Sequence, residues 1–268
     1  MSRISAPASR LGPTFAACRA EGRAALIGYT PVGYPTVPES LRTMRTMVEA
    51  GCDIIEIGIP YSDPVMDGPT VARAAQTALA NGSRVRDVFA AAETVAAAGA
   101  QPVVMTYWNL VLRYGVDAFA RDLAAAGGVG VITPNLIPEE GAQWHVASAA
   151  HHLDQIYLVA PSSTPERLAM TLEHCRGFVY AASTMGVTGA RDSVSSMAPE
   201  LCARVRECSD IPIGVGLGVR SGAQAAEIAE YADGVIVGSA IVSAVAEGQR
   251  AVAALVNELA EGVRGNAP

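Results

Sequence analysis

Short apolar runs alternate with longer alanine-rich segments along most of the chain. The runs are typical of strands and cover residues 25–29, 53–58, 102–107, 130–133, 156–160, 177–181, 211–215 and 234–238. The segments between them have apolar residues at helical spacing over 37–49, 70–80, 86–98, 116–125, 139–150, 164–174, 198–207 and 223–229. Strands that are apolar throughout are buried on both faces, and their alternation with helices indicates a parallel sheet. Eight such units within 268 residues favour a closed (β/α)8 TIM barrel over an open doubly wound sheet.

The pattern predicts one barrel domain over residues 14–263, in which residues 14–21 form a short extra helix at the barrel floor. Residues 1–13 are expected to form a flexible leader, and residues 264–268 a frayed C-terminus. No secretory apolar core follows the first arginines. The longest late apolar run, residues 235–246, is far shorter than the ~20 residues that span a bilayer. The sequence therefore predicts a cytoplasmic protein.

Composition excludes several enzyme classes. All 19 basic residues are arginine, so the chain has no lysine for a Schiff base or for a P-loop. With 26 acidic residues the net charge is −7, which disfavours binding to nucleic acid. The five cysteines form no C-x-x-C pair and the four histidines form no H-x-x-x-H motif. Neither a disulfide scaffold nor a metal site is predicted.

The strand over residues 53–58 carries a carboxyl group among isoleucines. Alternation of side chains puts Ile54, Glu56 and Gly58 on one face, which in a barrel points to the interior. Glu56 lies near the carboxyl end of this strand, where TIM barrels have their active sites. Asp67 ends the following loop and can turn back towards Glu56. The alternatives are a structural carboxylate paired with an arginine for Glu56, and ordinary turn chemistry for Asp67.

Two glycine-rich segments follow the last two predicted strands. They cover residues 214–220 and 233–239 and include Gly216, Gly218, Gly238 and Ser239. Loops after strands 7 and 8 of a barrel often bind phosphate through backbone N–H groups and a helix N-terminus, whereas tight barrel turns are the alternative. Neither segment has the third glycine of a dinucleotide-binding fingerprint.

Tyr180 precedes a long loop of small residues over 183–191, and such loops are typical of active-site lids. The alternative is that Tyr180 is a core residue and that the loop is an ordinary flexible loop.

Four motifs occur in order along the chain: EIGIPYSDP at 56–64, DGPT at 67–70, MGVTG at 185–189 and GSAIV at 238–242. Together they resemble the tryptophan synthase alpha chain family, over most of the chain from about residue 24 onwards. The resemblance implies a lyase that cleaves indole-3-glycerol phosphate to indole and glyceraldehyde 3-phosphate. It also implies an α2β2 heterotetramer. The beta chain of that complex would carry pyridoxal phosphate and join indole to serine, while this chain would hold no cofactor.

The resemblance further implies roles for single residues. Glu56 takes the position of the general acid–base, Asp67 that of a second catalytic carboxylate, and Tyr180 a position beside the reacting glycerol chain. The indole pocket would be lined by Tyr29, Met105, Tyr107, Ile132 and Leu217. The rest of the substrate, with its phosphate, would be bound by Thr188, Gly189, Gly216, Gly218, Gly238 and Ser239. The chain departs from the family's expected pattern in having Tyr29 and Leu217 in place of phenylalanine, which could alter the pocket, and Asn135 in place of aspartate, which leaves one partner contact open.

Breaking the carbon–carbon bond of such a substrate requires an electron sink. A lysine imine is excluded by composition, and no histidines lie at the predicted barrel mouth to hold a metal. Indole becomes its own sink once its C3 atom is protonated. A carboxylic acid with a raised pKa, such as Glu56, can deliver that proton, and the Asp67 carboxylate can stabilise the charge at the ring N–H. A base must also take the glycerol hydroxyl proton, and the sequence leaves open whether Glu56 does so.

Two other functions stay open on the same fold. Sugar-phosphate isomerases with paired aspartates need carboxylates at the ends of strands one and five, where this chain has GY at 28–29 and APS at 160–162. A non-catalytic barrel that binds a phosphate ligand would bind without turnover. An assay for indole release separates this last hypothesis from the lyase.

Overall fold

A computed structural model describes residues 8–182, 197–216 and 218–265 of the chain. It contains nine strands, all paired in parallel. They are β1 (Ala25–Pro31), β2 (Ile54–Gly58), β3 (Gln101–Met105), β4 (Gly130–Ile132), β5 (Asp154–Ile156), β6 (Leu158–Val159), β7 (Val179–Ala182), β8 (Ile213–Gly216) and β9 (Gly234–Val237). Their order in the sheet is β5-β4-β3-β2-β1-β9-β8-β7-β6.

The two edge strands of this sheet are halves of one barrel strand. Only Tyr157 separates β5 from β6. Its N–H is directed to the Cys175 sulfur at 3.4 Å, and its carbonyl oxygen accepts a hydrogen bond from Tyr180 N at 3.0 Å. Because β5 pairs with β4 while β6 pairs with β7, the sheet comes round on itself. The predicted (β/α)8 TIM barrel is confirmed.

Twelve helices surround the sheet in the described part of the chain. They are α1 (Gly12–Ala20), α2 (Val37–Glu49), α3 (Pro69–Ala80), α4 (Asp87–Ala98), α5 (Trp108–Tyr114), α6 (Val116–Ala125), α7 (Ala142–Ala150), α8 (Pro165–His174), α9 (Met197–Cys208), α10 (Gly222–Ala229), α11 (Ser239–Glu247) and α12 (Gln249–Val263), with a 3-10 turn at Pro138–Glu140. Within the described ranges, none of these helices is long and apolar enough to cross a membrane. The helical segments identified in the sequence do not include α5, α11 or α12. α5 has only seven residues, and α11 continues the apolar run of residues 235–246 that begins in β9.

Helix starts follow from local chemistry. The side chain of Thr36 accepts a hydrogen bond from Glu39 N at the start of α2, and that of Thr164 accepts one from Arg167 N at the start of α8. A proline occupies the first turn of both helices, where its missing N–H costs nothing. α1 begins at Gly12, two residues before the predicted start.

Side chains of the strands alternate between two cores, as the sequence predicted for β2. Ile55 and Ile57 belong to the large outer core between the strands and the helices. Ile54 belongs to a smaller core inside the barrel, with residues that include Ile27 and Phe178. Phe15 of α1 closes this inner core at the floor, with its ring centroid 5.7 Å from that of Phe178. The lower barrel is therefore packed solid, and the mouth above it is left for chemistry.

Candidate active site

The carboxyl ends of the strands bring three predicted site residues together at the barrel mouth. Tyr29 of β1 stands beside Glu56 of β2 in the sheet register. Tyr180 projects from β7 on the other side of the barrel. The charge of Glu56 raises the pKa of both tyrosines, in addition to the larger effect of burial, so all three groups face one space.

Glu56 is a buried carboxyl group in this space. Its residue is 1% exposed, and within the described residues its Oε2 atom has no hydrogen-bond partner. Burial raises the pKa of Glu56 to about 8, and the nearby charge of Asp67 adds to the shift. Loss of hydration disfavours the ionised form, so Glu56 carries a proton at neutral pH. The structure therefore does not support an arginine-paired structural carboxylate at this position.

Asp67 lies in a different environment at the end of the loop after β2. Burial raises its pKa, but the Tyr107 hydroxyl opposes this by donating a hydrogen bond to Asp67 Oδ1 at 3.4 Å. Glu56 is thus the weaker acid of the pair. When two neighbouring carboxyl groups have different pKa values, one can act as the proton donor while the other is an anion.

Two glycines make room for the tyrosines of the mouth. A Cβ atom at Gly58 would lie 2.5 Å from the Tyr29 hydroxyl oxygen, and a Cβ at Gly216 would collide with the Tyr180 hydroxyl. The hydroxyl end of each ring therefore lies against a glycine of the adjacent strand. The sequence assigned Gly216 to phosphate only and gave Gly58 no role. Their position on the inner face, next to a strand that bears an inward tyrosine, is the signal that identifies them.

The predicted indole-pocket residues of the described chain adjoin this space. Met105 ends β3 and stands beside Gly58 on one side and Ile132 on the other. Ile132 is buried in the inner core, with Met105 packed against it. Tyr107 lies two residues after the end of β3 and is 6% exposed. Leu217, Thr188 and Gly189, the other predicted substrate contacts, lie outside the described residues.

The two glycine-rich segments meet at one corner of the mouth, because β8 pairs with β9. Gly238 precedes α11, and no hydrogen bond from a described side chain caps this helix start. Ser239, the first residue of α11, is 8% exposed, and Gly218 has a positive φ of 72° that favours glycine. Uncapped backbone N–H groups at a helix start form a binding site for an anion such as phosphate. Among the described residues, no group of three or more His, Cys, Asp or Glu is placed to hold a metal ion.

A family model for the tryptophan synthase alpha chain matches residues 15–266. The chain belongs to the tryptophan synthase alpha chain family. The alpha chain of Nocardia farcinica is 72% identical over 256 residues, which are 96% of both chains. That of Mycobacterium tuberculosis (strain H37Rv) is 71% identical over 241 residues, which are 90% of this chain and 89% of the relative.

Solved structures agree with this family assignment. Tryptophan synthase from Mycobacterium tuberculosis in space group F222 superposes with a TM-score of 0.94 at 69% identity, covering 96% of this chain and 99% of that one. The alpha subunit from Legionella pneumophila str. Paris superposes with a TM-score of 0.85 at 30% identity, covering 97% of this chain and all of that one, 100%. As a tryptophan synthase alpha chain, the protein is a lyase of tryptophan biosynthesis that cleaves indole-3-glycerol phosphate to indole and glyceraldehyde 3-phosphate. The family match decides against the isomerase and against the non-catalytic barrel.

Proposed function

We propose that Glu56 is the general acid of this cleavage. The observation that carries the proposal is a buried carboxyl group with a pKa of about 8 and an unpartnered Oε2 atom among the described residues. Glu56 gives its proton to indole C3, and the positive charge that develops at the ring N–H is stabilised by the Asp67 carboxylate. The bond between C3 and the glycerol carbon then breaks, and its electron pair returns to the ring.

The same residue can close the proton balance. As the carbon–carbon bond breaks, the glycerol hydroxyl must lose its proton to form the aldehyde. Glu56 is ionised at that moment, and a group whose pKa lies near the working pH is effective both as an acid and as a base. We assign this second transfer to Glu56, which returns it to the protonated form, and place Tyr180 beside the glycerol chain.

The remaining site residues bind the substrate in this proposal. Tyr29, Met105, Tyr107, Ile132 and Leu217 line the indole pocket, and Thr188, Gly189, Gly216, Gly218, Gly238 and Ser239 hold the glycerol phosphate. The barrel over 14–263 acts as the catalytic domain, and it is extended at its amino end by the first residues of α1 and by Leu11, which is buried in the inner core. Apolar walls around the ring and backbone N–H groups at the phosphate match the two ends of the molecule.

We further propose that the chain works in an α2β2 heterotetramer, as the alpha subunit beside a beta chain. The solved relatives from Mycobacterium tuberculosis are described as tryptophan synthase. Pyridoxal phosphate would sit on the beta chain, because this chain has no lysine to form its Schiff base. A cytoplasmic location is consistent with five cysteines that are all free thiols.

Indole release by three variants tests the site. Glu56→Gln removes the acid and should slow release by ~10²–10⁴-fold while glycerol phosphate still binds. Asp67→Asn should slow it by ~10²-fold or more, because the developing charge loses its counter-charge. Asp63→Asn is the matched control and should leave the rate unchanged. Asp63 is exposed in the same loop, and its carboxylate accepts a hydrogen bond from the Ser62 hydroxyl. A Glu56→Gln variant that keeps more than about a tenth of the wild-type rate would remove Glu56 from the mechanism.

A further inference from the structure

We propose that the Tyr107 hydroxyl is a positioning group, which holds the loop of residues 61–68 on the barrel mouth and sets the orientation of Asp67. The inference rests on the role proposed above for Asp67. Tyr107 would act through that carboxylate and through the loop backbone, in addition to any contact of its ring with indole.

One oxygen atom of Tyr107 contacts three successive residues of the loop. The hydroxyl accepts hydrogen bonds from Val65 N at 3.1 Å and Met66 N at 3.2 Å. It donates one to Asp67 Oδ1 at 3.4 Å. A tyrosine hydroxyl has two lone pairs and one proton, so its full hydrogen-bonding capacity is spent on this loop. The contact fixes the backbone immediately before Asp67 and the carboxylate itself.

The side that holds the loop is rigid. Tyr107 connects β3 to α5 and is 6% exposed. On either side of it, Thr106 N donates to Ile132 O at 3.1 Å and Trp108 N donates to Asn135 Oδ1 at 2.9 Å. These bonds tie the tyrosine to the segment of β4 and the residues after it. The loop is therefore held by the barrel wall.

The ring of Tyr107 supports the same arrangement. Its centroid lies 5.0 Å from that of Tyr61, the residue that begins the loop. The Tyr61 hydroxyl accepts a hydrogen bond from Asn109 Nδ2 of α5 at 3.1 Å. The loop is thus fastened near its start by Tyr61 and near its end by the Tyr107 hydroxyl. Of these two contacts, only that of the Tyr107 hydroxyl includes Asp67.

The hydrogen bond also bears on the charge of Asp67. Within the described chain, the titratable groups that act on Asp67 or respond to its charge are Glu56 on β2, Tyr29 on β1 and Tyr107 itself. The bond from Tyr107 lowers the pKa of Asp67, against the effect of burial. Without the hydroxyl, Asp67 would stay protonated to a higher pH, and the ionised form needed for catalysis would be lost earlier on acidification.

Tyr107→Phe tests the inference in the full chain, assayed for indole release alone and with beta chain. The ring and its burial are kept, and only the hydroxyl is lost. We expect kcat to fall ~10-fold or more while KM changes by less than about 3-fold, because a displaced catalytic group lowers the rate more than binding. The acid limb of the pH profile of kcat should move up by about 0.5–1 pH unit. A ring that only packs against indole would leave this limb in place.

Tyr114→Phe is the matched control. The Tyr114 hydroxyl donates to Asp122 Oδ2 at 2.7 Å, the same pairing of tyrosine and aspartate at the end of α5 and on α6. Its loss should change neither kcat nor the acid limb. Hydrogen exchange gives a measurement that does not depend on activity: the amide protons of Val65 and Met66 should exchange ~10-fold faster in Tyr107→Phe.

The outcomes separate this inference from the proposed function. If Asp67→Asn is inactive but Tyr107→Phe keeps kcat within about 2-fold with an unchanged acid limb, the role of Tyr107 is wrong and that of Asp67 stands. If Asp67→Asn is fully active, the role of Asp67 fails, and the inference fails with it. In an Asp67→Asn background the Tyr107→Phe change should cause little further loss in kcat, because both act through one carboxylate.

Discussion

At the scale of single residues, the chemistry of this site is decided by where a carboxyl group lies. Glu56 and Asp67 are similar acids in water, yet the structure gives them different proton affinities. Glu56 is buried on the inner face of a strand of isoleucines, while Asp67 accepts a hydrogen bond from a tyrosine hydroxyl. Proton donor and anion are therefore assigned by burial and by one hydrogen bond.

The buried Glu56 should also affect how the free energy of unfolding depends on pH. Folding raises the pKa of Glu56 from 4.5 to about 8. Between these two pH values the folded state therefore holds a proton that the unfolded state has released. The free energy of unfolding therefore falls as pH rises through this window, whereas it would rise for a carboxyl group with a lowered pKa. Between pH 6 and pH 8 the loss from this one group should be about 2 kcal/mol.

Glu56→Gln removes this titration and keeps the shape of the side chain. Urea unfolding at pH 6 and pH 8 should show a smaller loss of stability in the variant than in the wild type, by about that amount. Comparing the two proteins cancels every other titrating group. Equal pH dependence in both would mean that Glu56 is ionised in the folded state, and would contradict its role as an acid.

At the scale of elements, the strands were predicted well because a parallel strand inside a barrel is apolar on both faces. Alternation also predicted which face Glu56 shares with Ile54. The break between β5 and β6 was not predicted, since it arises where Tyr157 N turns to a cysteine sulfur that is distant in sequence. α5 was missed because its seven residues, WNLVLRY, show no polar face.

A half-buried ion pair connects the amino ends of two strands at the barrel base. The Arg23 guanidinium donates one hydrogen bond to each carboxylate oxygen of Asp53, both at 2.8 Å. Asp53 Oδ2 also accepts a hydrogen bond from Leu26 N of β1 at 2.8 Å. The two side chains are only 9% and 16% exposed. Arg23 Nε also pairs with the exposed Glu21 Oε2 at 2.6 Å, so Asp53→Asn leaves the guanidinium with one carboxylate partner in place of two. Because the lost partner is the better shielded of the two, the free energy of unfolding should fall by about 2 kcal/mol.

The control for this prediction is an ion pair of the same chemistry in water. Arg42 and Glu39 lie 3.5 Å apart on α2 with exposed side chains. Arg42→Gln removes this pair without touching the cap of α2, and should change stability by no more than about 0.5 kcal/mol. Similar effects of the two variants would show that the base of the barrel is accessible to water and that burial does not strengthen the Asp53 pair.

At the scale of the whole molecule, the barrel explains why residues far apart in sequence could be assigned to one site. All strands point the same way, so Tyr29, Glu56, Tyr180 and Gly238 end at one mouth whatever the loops do. The contact of Tyr107 with residues 65–67 depends on the path of a loop, which no periodicity encodes. The sequence therefore predicted which residues meet at the barrel mouth, but it did not predict the hydrogen bond from Tyr107 to Asp67.

The mouth of the barrel also exposes apolar side chains that suit a partner. Val65 in the loop after β2 is 70% exposed, Leu112 on α5 is 50% exposed, and Ile137 after β4 is 42% exposed. They follow three neighbouring strands and so lie at the same end. A beta chain that covers this end would bind best to the state in which the loop of residues 61–68 is in place, and would shift the population towards it.

We therefore expect the isolated chain to release indole slowly and the addition of beta chain to raise the rate at least ~10-fold, equivalent to about 1.4 kcal/mol of coupling. The measurement is indole release at saturating substrate, titrated with beta chain. Leu112→Asp puts a charge on the apolar end and should shift the titration to higher beta-chain concentration, with the rate of the isolated chain unchanged. Val146→Asp, at a side chain 73% exposed on α7, is the control and should titrate as the wild type does. A flat titration of the wild type would mean that the loop is already in its active position without the partner, and activation by population shift would be wrong.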